Sequence, residues 1–300
     1  MQLEGIYVPI ITPFRNDLAM DMEAYGEVID WQVSNGVNGI IIGGSTGEFF
    51  SLSTAERQEQ LTFAVERIAG RIPVIFGVNG IPAERCYEMA EFASIAGADA
   101  LLVAAPPYIL PSQDELAKHV LEIDRIANLP IILYNYPART GVAMEEEFLQ
   151  RIGSSKNIVA IKESSGDAAR IQLLAHGYRQ FQLSAGAEDQ VLEFYAWGAR
   201  SWVSVIANFL PAEALAIHET CVLRGDFATG RKMMQALLPL MLCLEKGGKF
   251  LQCVKFACEI IGRPGGPVRP PLQPMGSELQ QQVLQMVKNA KTTLSDIDKR

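Results

Sequence analysis

Three segments of this chain spell the same local instruction. Asn35-Gly36-Val37-Asn38-Gly39 runs into IIIGGS, Ala96-Gly97-Ala98-Asp99-Ala100 into LLVAAP, and Trp197-Gly198-Ala199-Arg200-Ser201 into WVSVIA. In each, a helical stretch stops at a glycine able to take positive φ, and an apolar run follows. Five more short apolar runs lie before or between them: IYVPII from Ile6, PVIFGV from Pro73, PIILYNY from Pro130, IVAIKE from Ile158 and FQLSAG from Phe181. Runs without polar alternation suit strands buried on both faces, which is the pattern of a parallel sheet. Helical stretches separate them. Ser53-Thr-Ala-Glu56 has the spacing of a capping box, and Pro82-Ala-Glu-Arg predicts a helix with proline in its first turn.

Eight strand–helix units are complete by about Cys221, which predicts a (β/α)8 TIM barrel over residues 1–224. An open doubly wound sheet is the alternative, but the glycine fingerprint for dinucleotides is missing. After Gly225 the strands stop. Residues 226–246, 248–262 and 277–297 read as amphipathic helices, with the helix-incompatible GRPGGPVRPP from Gly262 between the last two. Residues 225–300 are therefore expected as a three-helix C-terminal segment packed on the barrel.

The balance of 26 basic against 34 acidic residues gives a formal charge of −8. That charge argues against nucleic acid and anionic membranes as partners. The apolar runs are too short to span a bilayer, and MQLEGIYVPI lacks the marks of a secretory signal. Five cysteines without a CxxC pair read as free thiols in a reducing cytosol, so a cytoplasmic protein is expected.

In such a barrel, chemistry gathers at the C-terminal ends of the strands. The second run ends in Gly43-Gly44-Ser45-Thr46-Gly47-Glu48, a turn whose amides and hydroxyls can hold a carboxylate or phosphate, or serve only as a tight capped turn. Gly43-x-Ser45-x-Gly47 also fits a hydrolase nucleophile elbow, hence a serine esterase. The elbow needs a helix beginning at the serine, whereas the helix signal here comes at Ser53. The fourth and fifth runs end near Tyr108 and Tyr134, phenols that either relay protons or simply pack.

The sixth run holds the sharpest anomaly, Lys162 within IVAIKE. A lysine inside a buried strand is desolvated, which lowers its pKa and frees a neutral amine able to form an imine with a carbonyl compound. A structural ion pair is the competing reading, but Glu163 alternates to the opposite face. Lys255, in CVKFAC, sits at helical spacing that lets it snorkel. His119, His176 and His218 are isolated on helices, and no metal-ligand spacing occurs. The expectation is covalent catalysis without metal or cofactor.

With these residues in place, the chain resembles the dihydrodipicolinate synthase / N-acetylneuraminate lyase family of class I aldolases. The likeness spans nearly the whole length through TPF at Thr12, GGSTGE at Gly43, YNYPARTG at Tyr134, IKESSGD at Ile161 and the late GRPGGPVRPPL. The resemblance implies that Lys162 forms the Schiff base with pyruvate or another 2-oxo acid and that Tyr134 moves protons at the imine. It gives Ser45 and Thr46, in the turn with Gly44, the keto acid's carboxylate. Tyr108 would join the proton relay across a subunit contact, which implies tight dimers paired into a homotetramer. Arg139 matches the synthases' arginine for the second substrate's carboxylate. Gly186 and Glu188 fall where lyases meet distal hydroxyls, and Val203 where an apolar residue lines the pyruvate pocket.

The chain also departs from the synthase pattern. Pro107 replaces the first of two adjacent tyrosines, Gly77-Val-Asn-Gly-Ile81 replaces a GTG run, and GSTGE stands for GTTGE. These departures point towards catabolic members that cleave, dehydrate or deaminate. The alternatives are 4-hydroxy-tetrahydrodipicolinate synthase proper, an aldolase or dehydratase of 2-oxo-3-deoxy sugar acids, and a hydroxy-pyrroline-carboxylate deaminase. Outside catalysis, a barrel kept as a ligand-binding subunit is the remaining reading.

Overall fold

Eight parallel strands close into a barrel in simple chain order in the computed structural model, which describes residues 1–298. The strands are β1 (Gly5–Pro9), β2 (Gly39–Ile42), β3 (Val74–Gly77), β4 (Ala100–Ala104), β5 (Ile131–Asn135), β6 (Ile158–Glu163), β7 (Gln182–Ala185) and β8 (Ser201–Val203). Around them run α1 (Met22–Ser34), α2 (Thr54–Ile68), α3 (Ala83–Ala96), α4 (Gln113–Ala127), the single turn α5 (Pro137–Thr140), α6 (Glu146–Ile152), α7 (Ala168–Gly177), α8 (Val191–Ala196) and α9 (Pro211–His218). The (β/α)8 expectation holds, and the reason is visible at the three repeated loops. Gly36, Gly97 and Gly198 take φ of 78°, 88° and 91°, a region costly for any residue with a Cβ.

The unbroken apolar runs are explained by two cores, one on each face of the barrel wall. Tyr7, Ile41, Ile75, Leu102, Ile132 and Ala160 fill the barrel interior together with Tyr134 and Val203. Their strand neighbours, among them Val8, Ile40, Phe76, Leu101, Leu133 and Trp202, pack outward under the helices. With both faces covered, a polar residue on a strand is under strong selection for a partner or a task.

Local signals set the helix ends. Ser53 and Glu56 form the expected capping box on α2, with Glu56 N–H donating to Ser53 Oγ (3.2 Å) and Ser53 N–H to Glu56 Oε2 (2.8 Å). Pro82, expected in the first turn of α3, instead precedes it as the N-cap with extended ψ of 125°.

Three further helices follow the barrel: α10 (Phe227–Lys246), α11 (Phe250–Ile260) and α12 (Ser277–Asp298). Helix α10 packs on α8, α9 and α12, and GRPGGPVRPP from Gly262 is non-helical. The reversal between α10 and α11 at Gly247-Gly248 brings Glu245, Lys246 and Phe250 over the mouth of the barrel. Lys255 does not snorkel, contrary to its helical spacing; it is 2% exposed and ion-paired. The five cysteines are free, and among the described residues no helix is long and apolar enough to cross a membrane.

Candidate active site

Lys162 and Tyr134 are register neighbours on β6 and β5, and both point into the barrel. The ammonium nitrogen lies 3.9 Å from the centroid of the tyrosine ring. Glu163 faces outward as alternation requires, where Arg170 Nε donates to it at 2.8 Å and Asn135 Nδ2 at 2.8 Å. Lys162 therefore has no adjacent strand carboxylate. Burial lowers its pKa from 10.5 to about 8, while the nearby acids Glu188 and Glu245 pull the other way. Burial likewise pushes the Tyr134 phenol far up, so it stays protonated and able to donate; the Ser164 hydroxyl and Arg139 oppose that shift weakly.

Both groups open onto a cavity of about 280 Å³ at the C-terminal end of the barrel. Gly44, Ser45, Thr46, Arg139 and Gly186 line the same cavity. The Gly43–Glu48 turn is tight: Gly47 N–H donates to Gly44 O (3.1 Å) and Glu48 N–H to Ser45 O (3.1 Å). Thr12 of the TPF motif pins it from below through a 2.7 Å bond from its hydroxyl to Gly47 O. The turn's own bonds thus hold its shape and leave Ser45 and Thr46 on the cavity wall.

Arg139 owes its place to α5, a single turn begun by Pro137 and stopped at Gly141 with φ of 77°. Its guanidinium stands 5.8 Å from the Tyr136 ring and lines the cavity. Gly186 is required for close approach rather than for positive φ. A Cβ there would meet Ser164 Oγ at 2.1 Å and Lys162 Cγ at 2.8 Å.

Three residues singled out from the sequence lie elsewhere. Tyr108 is 87% exposed on the β4–α4 loop at φ 77° and lines no part of the cavity in the single chain. Val203 is packed within the barrel interior, and Val205 takes the place on the cavity wall expected for it. Glu188 is fully buried behind Ala187 and Asp189, which are the wall residues. Its Oε1 accepts the Val205 N–H, while Oε2 makes no hydrogen bond among the described residues. Burial raises its pKa to about 8, against the Val205 hydrogen bond and the Lys162 charge.

The serine-esterase geometry does not form. After Ser45 a single 3-10 turn at Phe49–Ser51 intervenes and α2 begins only at Thr54, and none of the three histidines lines the cavity. His218 is a satisfied core residue on Arg200 O (3.0 Å), His119 meets Tyr87 Oη (3.2 Å), and His176 is exposed.

Some wall residues escaped the sequence reading. Ser164, Asp189 and Gln190 follow strand ends, so the barrel rule itself could have found them. Glu245, Lys246 and Phe250 could not be found that way. They sit at a helix end far along the chain, with nothing in their local pattern to distinguish them from a solvated face. An adjoining apolar chamber of about 180 Å³, lined by Phe49, Phe50, Asn79 and Pro107, shares Ser45, Tyr134 and Arg139 with the main cavity.

The chain has close relatives. The model of the dihydrodipicolinate synthetase family matches residues 2–290. A 4-hydroxy-tetrahydrodipicolinate synthase of Thermoanaerobacter sp. (strain X514) is 38% identical over 283 residues, 92% of each chain. The structure of the 4-hydroxy-tetrahydrodipicolinate synthase from Methylacidiphilum fumariolicum SolV superposes with a TM-score of 0.92 at 30% identity, covering 99% of each chain. YagE, an Escherichia coli K12 prophage protein of the dihydrodipicolinic acid synthase family solved in complex with pyruvate, gives 0.90 at 28% identity, over 97% of this chain and 99% of that one.

Proposed function

Because this chain belongs to the dihydrodipicolinate synthetase family and is a lyase, we propose that Lys162 forms an imine with pyruvate or a pyruvate-like 2-oxo acid. The observation that carries the proposal is the buried, pKa-lowered Lys162 set 3.9 Å from the Tyr134 ring on the wall of the Ser45/Thr46 cavity. The amine attacks the keto carbon while Ser45, Thr46 and Gly44 hold the carboxylate. Water leaves, and the protonated imine becomes an electron sink for the neighbouring carbon. A C–C bond can then form to, or break from, an aldehyde, or a β-substituent can depart. Tyr134 passes the protons, as a phenol held protonated can do.

The pyruvate bound by YagE supports this choice of first substrate, and the names of the synthase relatives support a condensation as the reaction type. Arg139, which lines the same cavity, is assigned the second substrate's carboxylate. A catabolic cleavage reaction uses the same groups in reverse; the carboxylates Asp189 and Glu245 among the cavity's lining residues favour that reading for hydroxylated acids.

We also propose a cytoplasmic homotetramer of tight dimers, in which residues 1–224 form the catalytic barrel and 225–300, of which 299–300 lie outside the described residues, its helical cover. The strained, 87% exposed Tyr108, with Ile109 and Leu110 also exposed, supports a partner at that loop. No metal or organic cofactor enters the proposed chemistry, since the imine supplies the electron sink.

Borohydride reduction with pyruvate, followed by peptide mass spectrometry, tests the mechanism. A pyruvate-sized adduct on Lys162 is the expected result. Folded protein without an adduct, on pyruvate or any other 2-oxo acid, would overturn the imine mechanism.

A further inference from the structure

Two motifs that stand out in the sequence take no direct part in the proposed chemistry: Thr12-Pro13-Phe14 and the late GRPGGPVRPPL from Gly262. The fold brings them from opposite ends of the chain to the Gly43–Glu48 turn. Two cations stand at the Phe14 ring, Lys255 Nζ and Arg269 Cζ each 4.3 Å from its centroid. Both residues also reach Glu48. Lys255 Nζ lies 2.5 Å from Glu48 Oε1, and the Arg269 N–H donates to Oε2 at 3.3 Å. The Arg269 guanidinium continues onto the chain just past the turn, donating to Ser51 O at 2.9 Å and pairing with Glu56 at 2.5 Å. From the other motif, Thr12 Oγ1 donates to Gly47 O at 2.7 Å and accepts from Gln60 Nε2 at 2.8 Å. Lys255 is 2% exposed and Glu48 fully buried, and both lie behind the cavity wall rather than on it.

Stability alone is a poor reason for such a cluster, because a buried ion pair is often no better than an apolar pair of the same volume. What the cluster supplies is a fixed position, with both oxygens of one carboxylate tied to the C-terminal segment. Glu48 needs that hold. Its φ of 56° lies in the left-handed region, which a residue with a Cβ keeps only where its surroundings over-determine it. Its own N–H closes the turn on Ser45 O at 3.1 Å, so a relaxation at Glu48 passes directly to Ser45 and Thr46. We propose that Lys255 is a positioning residue for the first substrate: with Arg269 it holds Glu48, and through Glu48 it sets the place where Ser45 and Thr46 meet the keto acid's carboxylate. This rests on the imine reading above and extends it to residues beyond the barrel. The hydroxyls facing the substrate belong to the turn, but their affinity for a carboxylate depends on a lysine that never touches it.

The test uses the full-length enzyme, borohydride trapping on Lys162, and two ketones of one shape, pyruvate and its neutral amide, pyruvamide. The wild type is expected to reach half-maximal trapping at a lower concentration of pyruvate than of the amide, since only pyruvate brings a carboxylate to the turn. Lys255→Met combined with Glu48→Gln removes both charges and leaves neither buried alone, which suits it to keep the fold. In that variant the half-saturating pyruvate concentration should rise about tenfold, the value of one loosened hydrogen bond to a charged group, while the pyruvamide value and the maximal trapping rate stay within about twofold. Lys255→Arg, which keeps the cation on a larger forked group, should give an intermediate pyruvate shift and serves if the neutral pair does not fold. An unchanged pyruvate value in either folded variant overturns the inference. So does an equal shift for both ketones, the mark of a general loosening. Pyruvate trapping on wild-type Lys162 separates the two levels. If trapping fails, the imine reading falls and takes this inference with it; if trapping succeeds and the preference for the carboxylate does not depend on Lys255, only this inference falls.

Discussion

Lys255 and Glu48 form a buried ion pair that ties the C-terminal helices to the turn carrying Ser45 and Thr46. Lys255 Nζ lies 2.5 Å from Glu48 Oε1, donates to Pro267 O at 2.7 Å and stands 4.3 Å from the Phe14 ring centroid. Glu48 is fully buried and adopts φ of 56°, and its other oxygen accepts the Arg269 N–H at 3.3 Å. Arg269 in turn binds Glu56, whose pKa it pulls down to about 2, and the Leu18 and Ser51 carbonyls. The backbone of the carboxylate turn is thus braced from beneath by residues that follow the barrel in sequence.

Removing one partner of this pair leaves the other charged and dry. Lys255→Met is expected to cost about 3–5 kcal/mol of stability, and adding Glu48→Gln to recover much of it. Urea unfolding of the two variants and the wild type checks this. A double variant as unstable as the single one would show that the pair is not the relevant interaction.

The lowered pKa of Lys162 fixes the direction of two pH effects. Imine formation with pyruvate should accelerate as pH rises through about 8, where the amine loses its proton. Below that pH both folded and unfolded chains carry the charge, and the folded one bears the whole burial cost. Between about 8 and 10.5 the folded chain has released its proton and the unfolded chain has not, so the cost fades with rising pH. Lys162→Met should be inactive yet more stable than wild type at pH 7, by on the order of 3 kcal/mol, with the gap narrowing above pH 8. Equal melting temperatures for both proteins at pH 7 would contradict the burial argument.

Glu188 shifts the opposite way. Its pKa, raised from 4.5 to about 8, means the folded chain keeps a proton the unfolded chain gives up. Stability from this group is lost as pH climbs from about 4.5 through 8. Glu188→Gln, neutral at every pH, should gain on the wild type across that interval in thermal melts. A constant difference between the two from pH 5 to 8 would rule out a protonated Glu188.

Gly186→Ala introduces a methyl where Ser164 Oγ and Lys162 Cγ already stand, at 2.1 and 2.8 Å from the ideal Cβ position. Either β7 or the lysine must move. Borohydride trapping of pyruvate should slow by at least tenfold, since a displacement of about 1 Å at a reacting group has effects of that order or greater. Trapping at the wild-type rate would mean that the lysine is held less tightly than its packing indicates.

Tyr134→Phe keeps the ring against Lys162 and removes only the hydroxyl. The expected loss is about 10²–10⁴-fold in kcat, the usual contribution of a positioned acid–base group. Rapid-mix kinetics should place the loss in proton-transfer steps, while pyruvate binding is little changed; an unaltered kcat would remove Tyr134 from the relay.

Much of this was legible in the residues themselves. Glycines at positive φ, apolar runs without alternation and capping residues are local properties, and they dictate where strands and helices begin and end whatever the rest of the chain does. Lys162 stood out because a charge inside such a run conflicts with the burial its neighbours require. Which side chains share a cavity is a different matter, because it depends on barrel closure and on register between strands far apart in sequence. Closure placed Tyr134 beside Lys162, turned Val203 into interior packing and left Val205 on the wall. Packing of the C-terminal helices buried Lys255 against Glu48, where helical spacing alone suggested a solvated ammonium. The same packing carried Glu245 to the barrel mouth. Local sequence encodes backbone conformation and the period of burial; the pairing of distant charges is decided only when the chain closes on itself and water is excluded from between them.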